Sequence, residues 1–152
     1  MLERAPEVRT WPVEMPFAYR YTPGVAGARF LEALRDRGEI LGTRCAACAF
    51  TYVPARRSCE RCFADLSEAE LEVGPGGELV AFTVCRVGHE GEPLPAPVVF
   101  GLVRLDGADA LLLRRVLAAE PRTGMRVEAV LEPPARRRGS ILDIVGFRAA
   151  AG

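Results

Sequence analysis

Apolar positions change their period along this chain. Between residues 23 and 38 they fall at helical spacing: Phe30 and Leu34 stand one turn apart with Leu31 beside them, which predicts a short amphipathic helix. Thr22 reads as its N-cap and Pro23 as its first residue. Gly24 and Gly27 weaken the opening turns, so the firm part begins near Ala28, and Gly38 is a natural C-terminal cap. Beyond Gly77 the helical spacing gives way to a series of short apolar runs, with a clear period of two in the fourth. Strands are expected at residues 79–87, 98–105, 110–118, 125–131 and 141–147, separated by Gly- and Pro-bearing loops. In the fourth of these the alternation is cleanest and puts Val127, Ala129 and Leu131 on the inner face. Five short strands broken in this way predict a small closed barrel, with the five-stranded OB-fold as the leading topology.

Between the helix and the barrel lies a different pattern. Residues 40–44 and 50–54 read as the two strands of a hairpin. Residues 68–72 form an acidic connector, and Gly74-Pro75-Gly76-Gly77 marks a change of composition. The expected organisation is an N-terminal arm and helix over residues 1–39, a ribbon over 40–70 and the OB-fold over 71–152. The fold class is therefore mainly β, with one N-terminal helix. The arm before the helix carries Pro6, Pro12 and Pro16 together with Trp11, Met15, Phe17, Tyr19 and Tyr21. Proline blocks helix there, and so many large apolar groups call for a surface to lie on, either the chain's own domain or a partner subunit.

The hairpin is bracketed by two cysteine pairs, Cys45-Ala46-Ala47-Cys48 and Cys59-Glu60-Arg61-Cys62. Two intervening residues let both sulfurs of a pair face one point, so two such knuckles build a tetrahedral four-sulfur site suited to structural zinc. A rubredoxin-like iron site would use the same ligands. A zinc ribbon of this size has little core of its own, and the metal supplies much of its folding energy.

The chain has 152 residues and a formal net charge of +0, which argues against wrapping nucleic acid, where a basic excess is usual. No apolar run is long enough to span a membrane, and residues 1–13 lack an export segment, so a cytoplasmic location is expected. All the basic residues are arginine. Arginine forks grip phosphates bidentately, which makes Arg56, Arg57 and the run Arg136-Arg137-Arg138 candidate phosphate contacts. Phe82 is a candidate for stacking on a base, although its strand position equally suits a core role.

Catalytic groups are sparse. His89 stands alone in a Gly- and Pro-rich loop without a positioned partner, and Cys85 lies within a strand without an activating neighbour. Asp106 and Asp109 flank a turn, which is reason enough for both. Neither a G-x-S-x-G nor a phosphate-cradling G-x-x-x-x-G-K motif occurs.

Helix, four-cysteine ribbon and barrel, in this order, resemble the acyl-CoA-associated zinc-ribbon/OB-fold family, once catalogued as domain of unknown function 35. The resemblance is carried by Phe30-Leu31-Glu32-Ala33-Leu34, by Leu41-Gly42-Thr43-Arg44 leading into the first knuckle, by Val53-Pro54-Ala55-Arg56, by the second knuckle, and by the strand opening at Gly76 and running through Phe82 to Val84. One departure is Ala55, where relatives often have a second proline before the arginine. The resemblance implies a small partner of thiolase-fold enzymes: thiolases, hydroxymethylglutaryl-CoA synthases or steroid side-chain aldolases. It further implies a hetero-oligomer active in lipid metabolism, in which this chain helps to hold an acyl-CoA while the partner supplies the chemistry, and no catalysis by this chain alone. The alternative class is a single-stranded nucleic-acid-binding module, since ribbons and OB-folds both serve that role.

Overall fold

The computed structural model describes residues 18–150. Most of the aromatic arm, residues 1–17, lies outside them; Tyr19 and Tyr21, which are described, are exposed. The helix α1 runs Gly24–Asp36, several residues longer at its start than the glycines suggested. Pro23 rather than Thr22 occupies the N-cap, and Thr22 contributes only an Oγ1 that accepts the Gly24 N–H at 3.3 Å. At the other end Gly38 adopts φ +74°, so the N–H groups of Arg37, Gly38 and Glu39 all turn back onto the Ala33 carbonyl. Phe30, Ala33 and Leu34 form its buried stripe.

The ribbon is a three-stranded sheet of order β2-β1-β3, with β1 at Leu41–Cys45, β2 at Phe50–Tyr52 and β3 at Glu70–Glu72. The segment read as an acidic connector thus supplies a strand, pairing Glu72 with Leu41 and Glu70 with Thr43. Its two glutamates point outward, and a three-residue strand is too short to leave a period in the sequence.

β4 (Gly76–Val87), β5 (Pro93–Leu105), β6 (Leu111–Val116), β7 (Arg126–Leu131) and β8 (Ile144–Ala149) close a barrel of order β4-β5-β6-β8-β7. Every neighbouring pair is antiparallel except β6 and β8, which meet in parallel at Val116 and Phe147. The five-stranded Greek-key barrel expected from the sequence is present. Two strands differ most in extent from the expected bounds. β5 starts at Pro93, so the β4–β5 hairpin projects beyond the barrel, with Val87 opposite Pro93. The last strand starts at Ile144 because Ile141–Asp143 is a 3-10 turn capped by Ser140. Gly101 is buried between layers of core side chains, where a Cβ would meet Leu79 Cδ1 at 2.5 Å and Val116 Cγ2 at 2.6 Å.

One continuous core joins the parts. Phe30, Ala33 and Leu34 of the helix and Leu41 and Val53 of the ribbon base belong to the same buried cluster as Leu79, Val103, Leu105, Val127, Ile144 and Phe147 of the barrel. A hydrogen-bonded clasp adds to it. Asp109, in the β5–β6 turn, accepts the Thr51 N–H at 2.8 Å, and the N–H groups of Asp109 and Ala110 reach the Thr51 carbonyl at 3.0 and 3.1 Å. Asp109 therefore ties the barrel to the ribbon, a task beyond the turn chemistry its sequence position suggested. No helix of the described residues is long and apolar enough to cross a membrane.

Candidate metal centre

Cys45 ends β1 and Cys48 lies in the turn before β2, while Cys59 and Cys62 come from a second turn held by the N–H of Cys59 on the Ala64 carbonyl and that of Phe63 on the Cys59 carbonyl, both at 2.9 Å. In each knuckle the residue after the second cysteine takes a left-handed backbone, Ala49 at φ 50° and Phe63 at φ 59°, which swings the chain back around the sulfurs. The four Sγ atoms lie within 4.8 Å of one another, Cys45 being 3.6 Å from Cys62 and Cys48 3.9 Å from Cys59. A tetrahedron with Zn–S bonds of about 2.3 Å has edges of roughly 3.8 Å, so these separations fit one zinc ion. Cys45 and Cys59 are fully buried, whereas Cys62 is exposed.

The surroundings are built for negative sulfur. Backbone N–H groups of Cys48 and Arg61 point at the sulfurs of Cys45 and Cys59, each at 3.4 Å. Tyr52, a buried side chain of β2, places its hydroxyl 3.3 Å from Cys59 Sγ. The hydrogen bond from Tyr52 draws the Cys59 thiol down to about 6 against the opposing effect of burial. The same bond, made to a thiolate, pushes Tyr52 up to about 12. Crowding works the other way at Cys48, where the hydrogen bond with Cys62 and then burial push the thiol up to about 12. A divalent cation at the centre of the four sulfurs relieves that conflict, because it lets all of them ionise together. With four protein sulfurs the coordination is complete, no position is open to a substrate, and the centre's role is folding. The sequence marks Tyr52 only as a strand residue; its part here depends on a contact that no local spacing announces.

The expected CoA-contacting residues fall into separate places. Arg56 stacks over the Tyr52 ring at 5.2 Å and pairs with Glu60, so it buttresses the ribbon. Arg57 lines a small pocket with Val25, Arg29 and Glu70 at the start of α1. Phe82 sits on β4, 38% exposed, against Phe100, Leu102 and Leu113. Arg136, Arg137 and Arg138 line a cleft of ≈ 540 Å³ together with Glu132, Leu142 and Asp143. Within that run Arg137 is committed, its Nε donating to the Glu132 carbonyl at 2.8 Å. Arg136 and Arg138 have no ion pair among the described residues.

Asp143 holds this arginine loop in shape. Its buried carboxylate accepts the backbone N–H groups of Arg138, Gly139 and Ser140 at 2.8 to 3.1 Å. Burial opposes the charge, but the three N–H bonds outweigh it and hold the carboxyl below the usual carboxylate range. A group whose folded pKa is depressed contributes stability that is complete above its unfolded pKa of about 3.9 and is lost as pH falls through the folded value. Asp143→Ala strands three donors and is expected to lower stability by about 1–3 kcal/mol at pH 7. Melting curves of both proteins between pH 7 and pH 3 should converge only at the acid end; a constant gap over that range would contradict the assignment.

A closed four-cysteine ribbon joined to a Greek-key barrel defines a zinc-ribbon/OB-fold protein. Residues 33–67 match the family model of the ChsH2 rubredoxin-like zinc ribbon domain, and residues 70–132 that of the ChsH2 C-terminal OB-fold domain. The chain belongs to this DUF35 family. A relative from Methanocaldococcus jannaschii, described as a DUF35 domain-containing scaffold protein, is 26% identical over 100 residues, covering 64% of this chain and 70% of its own. The crystal structure of a DUF35 protein of unknown function from Sulfolobus solfataricus superposes with a TM-score of 0.61 at 28% identity, over 70% of this chain and 78% of that one. A chain from a structure described as an Ltp2-ChsH2(DUF35) aldolase superposes with a TM-score of 0.58 at 23% identity, over 82% and 94% of the two chains. That last likeness shows the fold.

Proposed function

We propose that this chain is a non-catalytic accessory subunit that assembles with a thiolase-type enzyme and helps to hold the enzyme's acyl-CoA substrate. The observation that carries the reading is the pairing of a saturated zinc ribbon with an OB barrel in a family where one relative is described as a scaffold and one similar fold comes from a DUF35-containing aldolase. The placement of the reactive groups supports it. Four of the five cysteines face one another around a metal site, and His89 is an exposed hairpin-tip residue next to Glu90.

For the acyl-CoA, the cleft beside α1 and the β7–β8 connection offers the best-prepared contacts. Arg136 and Arg138 present guanidinium forks that no described residue pairs with, on a loop that Asp143 fixes in place, and Leu142 supplies an exposed apolar neighbour. Such forks suit the phosphates of CoA. Binding the nucleotide end lets this subunit fix the thioester where the partner's catalytic groups point, which raises the partner's rate without chemistry of its own. This role places the chain in cytoplasmic lipid metabolism, where thiols stay reduced and available to metal.

Reconstitution tests the reading. The purified chain should turn over no thioester, and the activity of its thiolase-type partner should fall when the chain is withheld. Replacing both Arg136 and Arg138 with Ala removes charge-assisted contacts of about 1.5–3 kcal/mol each. The expected result is acyl-CoA binding weakened tenfold or more with assembly unchanged. Unaided thioester turnover, or tight binding of a single-stranded oligonucleotide at physiological salt with no acyl-CoA enzyme associating, would overturn the proposal.

A further inference from the structure

Alternate residues of β4, β5 and β6 fill the barrel: Leu79, Val103, Leu112 and Val116 are all buried. Residues between them face the other way, and on an antiparallel sheet with one solvated face they are normally polar. Here they are mostly apolar. The register aligns Ala81, Leu102 and Leu113 in one outward row, and Thr83, Phe100 and Arg115 in the next, with Cys85 beside Val98 beyond them. Leu111 and Leu113 are 40% and 59% exposed. Two shallow recesses run along this face, one bounded by Ala81, Phe82 and Leu113 and the other by Val87, Leu94 and Arg115, and Phe100 lines both. A contiguous apolar strip across three strands is more than a folded chain normally leaves in water.

We propose that this outer face of β4-β5-β6 is the surface on which the partner enzyme seats, receiving an apolar ridge against Phe100 and Leu113 and a carboxylate against Arg115. The inference rests on the accessory-subunit reading and names the surface that performs the assembly. Three observations select this occupant. Arg115 has no ion pair among the described residues although it stands in register with Phe100 at the middle of the strip. Covering it without an anion would bury an unpaired charge, so the occupant carries a carboxylate. A second copy of this chain would present the same arginine; the one carboxylate in the outward rows, Glu78, is already held by Arg104 at 3.3 Å. The recesses are open and shallow, which suits a protein surface better than the enclosure a small molecule needs. Strand addition is disfavoured as well. β5 has no β6 partner beyond Val99, and there Pro93, Pro95 and Pro97 lack the N–H groups a new strand would require. The partner therefore meets the face and not the edge.

The experiment uses the full-length, zinc-loaded chain and the thiolase-type enzyme that assembles with it in the reconstitution, mixed and analysed by size exclusion and titration calorimetry. Leu113→Glu and Arg115→Glu change exposed side chains, so both variants should keep the wild-type melting temperature and zinc content. Each should weaken the complex by at least about 30-fold, as loss of a central interface contact does. Arg115→Lys, which keeps the charge, should retain most of the affinity. Wild-type affinity in both Glu variants would overturn this inference and leave the accessory role standing. Self-association of the chain that Leu113→Glu abolishes would also overturn it, by showing a second copy on the face. If the wild-type chain joins no thiolase-type enzyme, the accessory reading itself fails.

Discussion

Removing zinc is expected to unfold the ribbon while leaving the barrel assembled but less stable. The reason lies in how little else the metal end of the molecule has. Its own buried cluster comprises Cys45, Tyr52, Cys59 and Leu66, two of which are ligands and a third of which donates to one. Structural zinc contributes an apparent 10–16 kcal/mol in zinc-finger peptides, about the whole stability of an ordinary domain, and nothing in so small a cluster could replace it. The barrel closes through five strands of its own. It nevertheless shares its core with Leu41 and Val53 and its β5–β6 turn with Thr51, so loss of the ribbon removes packing and three hydrogen bonds from it. Purified protein should contain one zinc per chain. After chelation, or in Cys59→Ser, hydrogen exchange should become fast at β1 and β2 and stay slow in β4 to β8, with a lower melting temperature. Metal-free protein with β1 and β2 still protected would show that the centre is dispensable.

What was legible in the sequence follows the range of the interactions. The zinc ligands are local: two residues between cysteines fix each knuckle, so spacing alone named all four. The barrel strands are short apolar runs bounded by Gly and Pro, the fourth with a clear period of two, and their order follows from a common Greek-key closure once five of them are counted. Elements that escaped depend on partners distant in the chain. β3 is three residues long and exists because β1 offers it an edge. Asp109 is 58 positions from Thr51, and nothing in its turn sequence points there. The same reason explains why the arginines named from sequence are dispersed. A run of cations marks solvated positions, whereas which of them stays unpaired depends on folded neighbours: Glu60 for Arg56, the Glu132 carbonyl for Arg137, and, among the described residues, none for Arg136 or Arg138. Arg115, the cation with the most telling surroundings, sits next to Arg114 in the sequence. The two diverge because Arg114, turned toward β8, donates to the Ile144 carbonyl at 2.6 and 2.9 Å.

Val127→Asp should be the most damaging single change within the barrel. Val127 is 0% exposed, lies between Gly77 of β4 and Ala149 of β8, and belongs to the shared core. An aspartate there would sit among the apolar side chains of that core, so it must either bury its charge or take up a proton that water would have held. The expected loss is roughly 3–5 kcal/mol, a large part of the stability of a domain of this size. Its sign with pH is fixed by the same argument. The mutant carboxyl has a raised pKa in the folded state, so the folded form binds the extra proton and the penalty shrinks as pH falls toward 4. The neighbouring position is the control. Glu128 faces outward and meets Arg148 at 2.8 Å on the surface, a contact of the exposed kind that contributes at most about 1 kcal/mol. Glu128→Val should therefore leave the melting temperature nearly unchanged. Urea unfolding of the two variants compares adjacent residues on opposite faces of β7. A Val127→Asp midpoint equal to that of wild type, or a Glu128→Val loss of the same size, would mean that the strand sits in the other register.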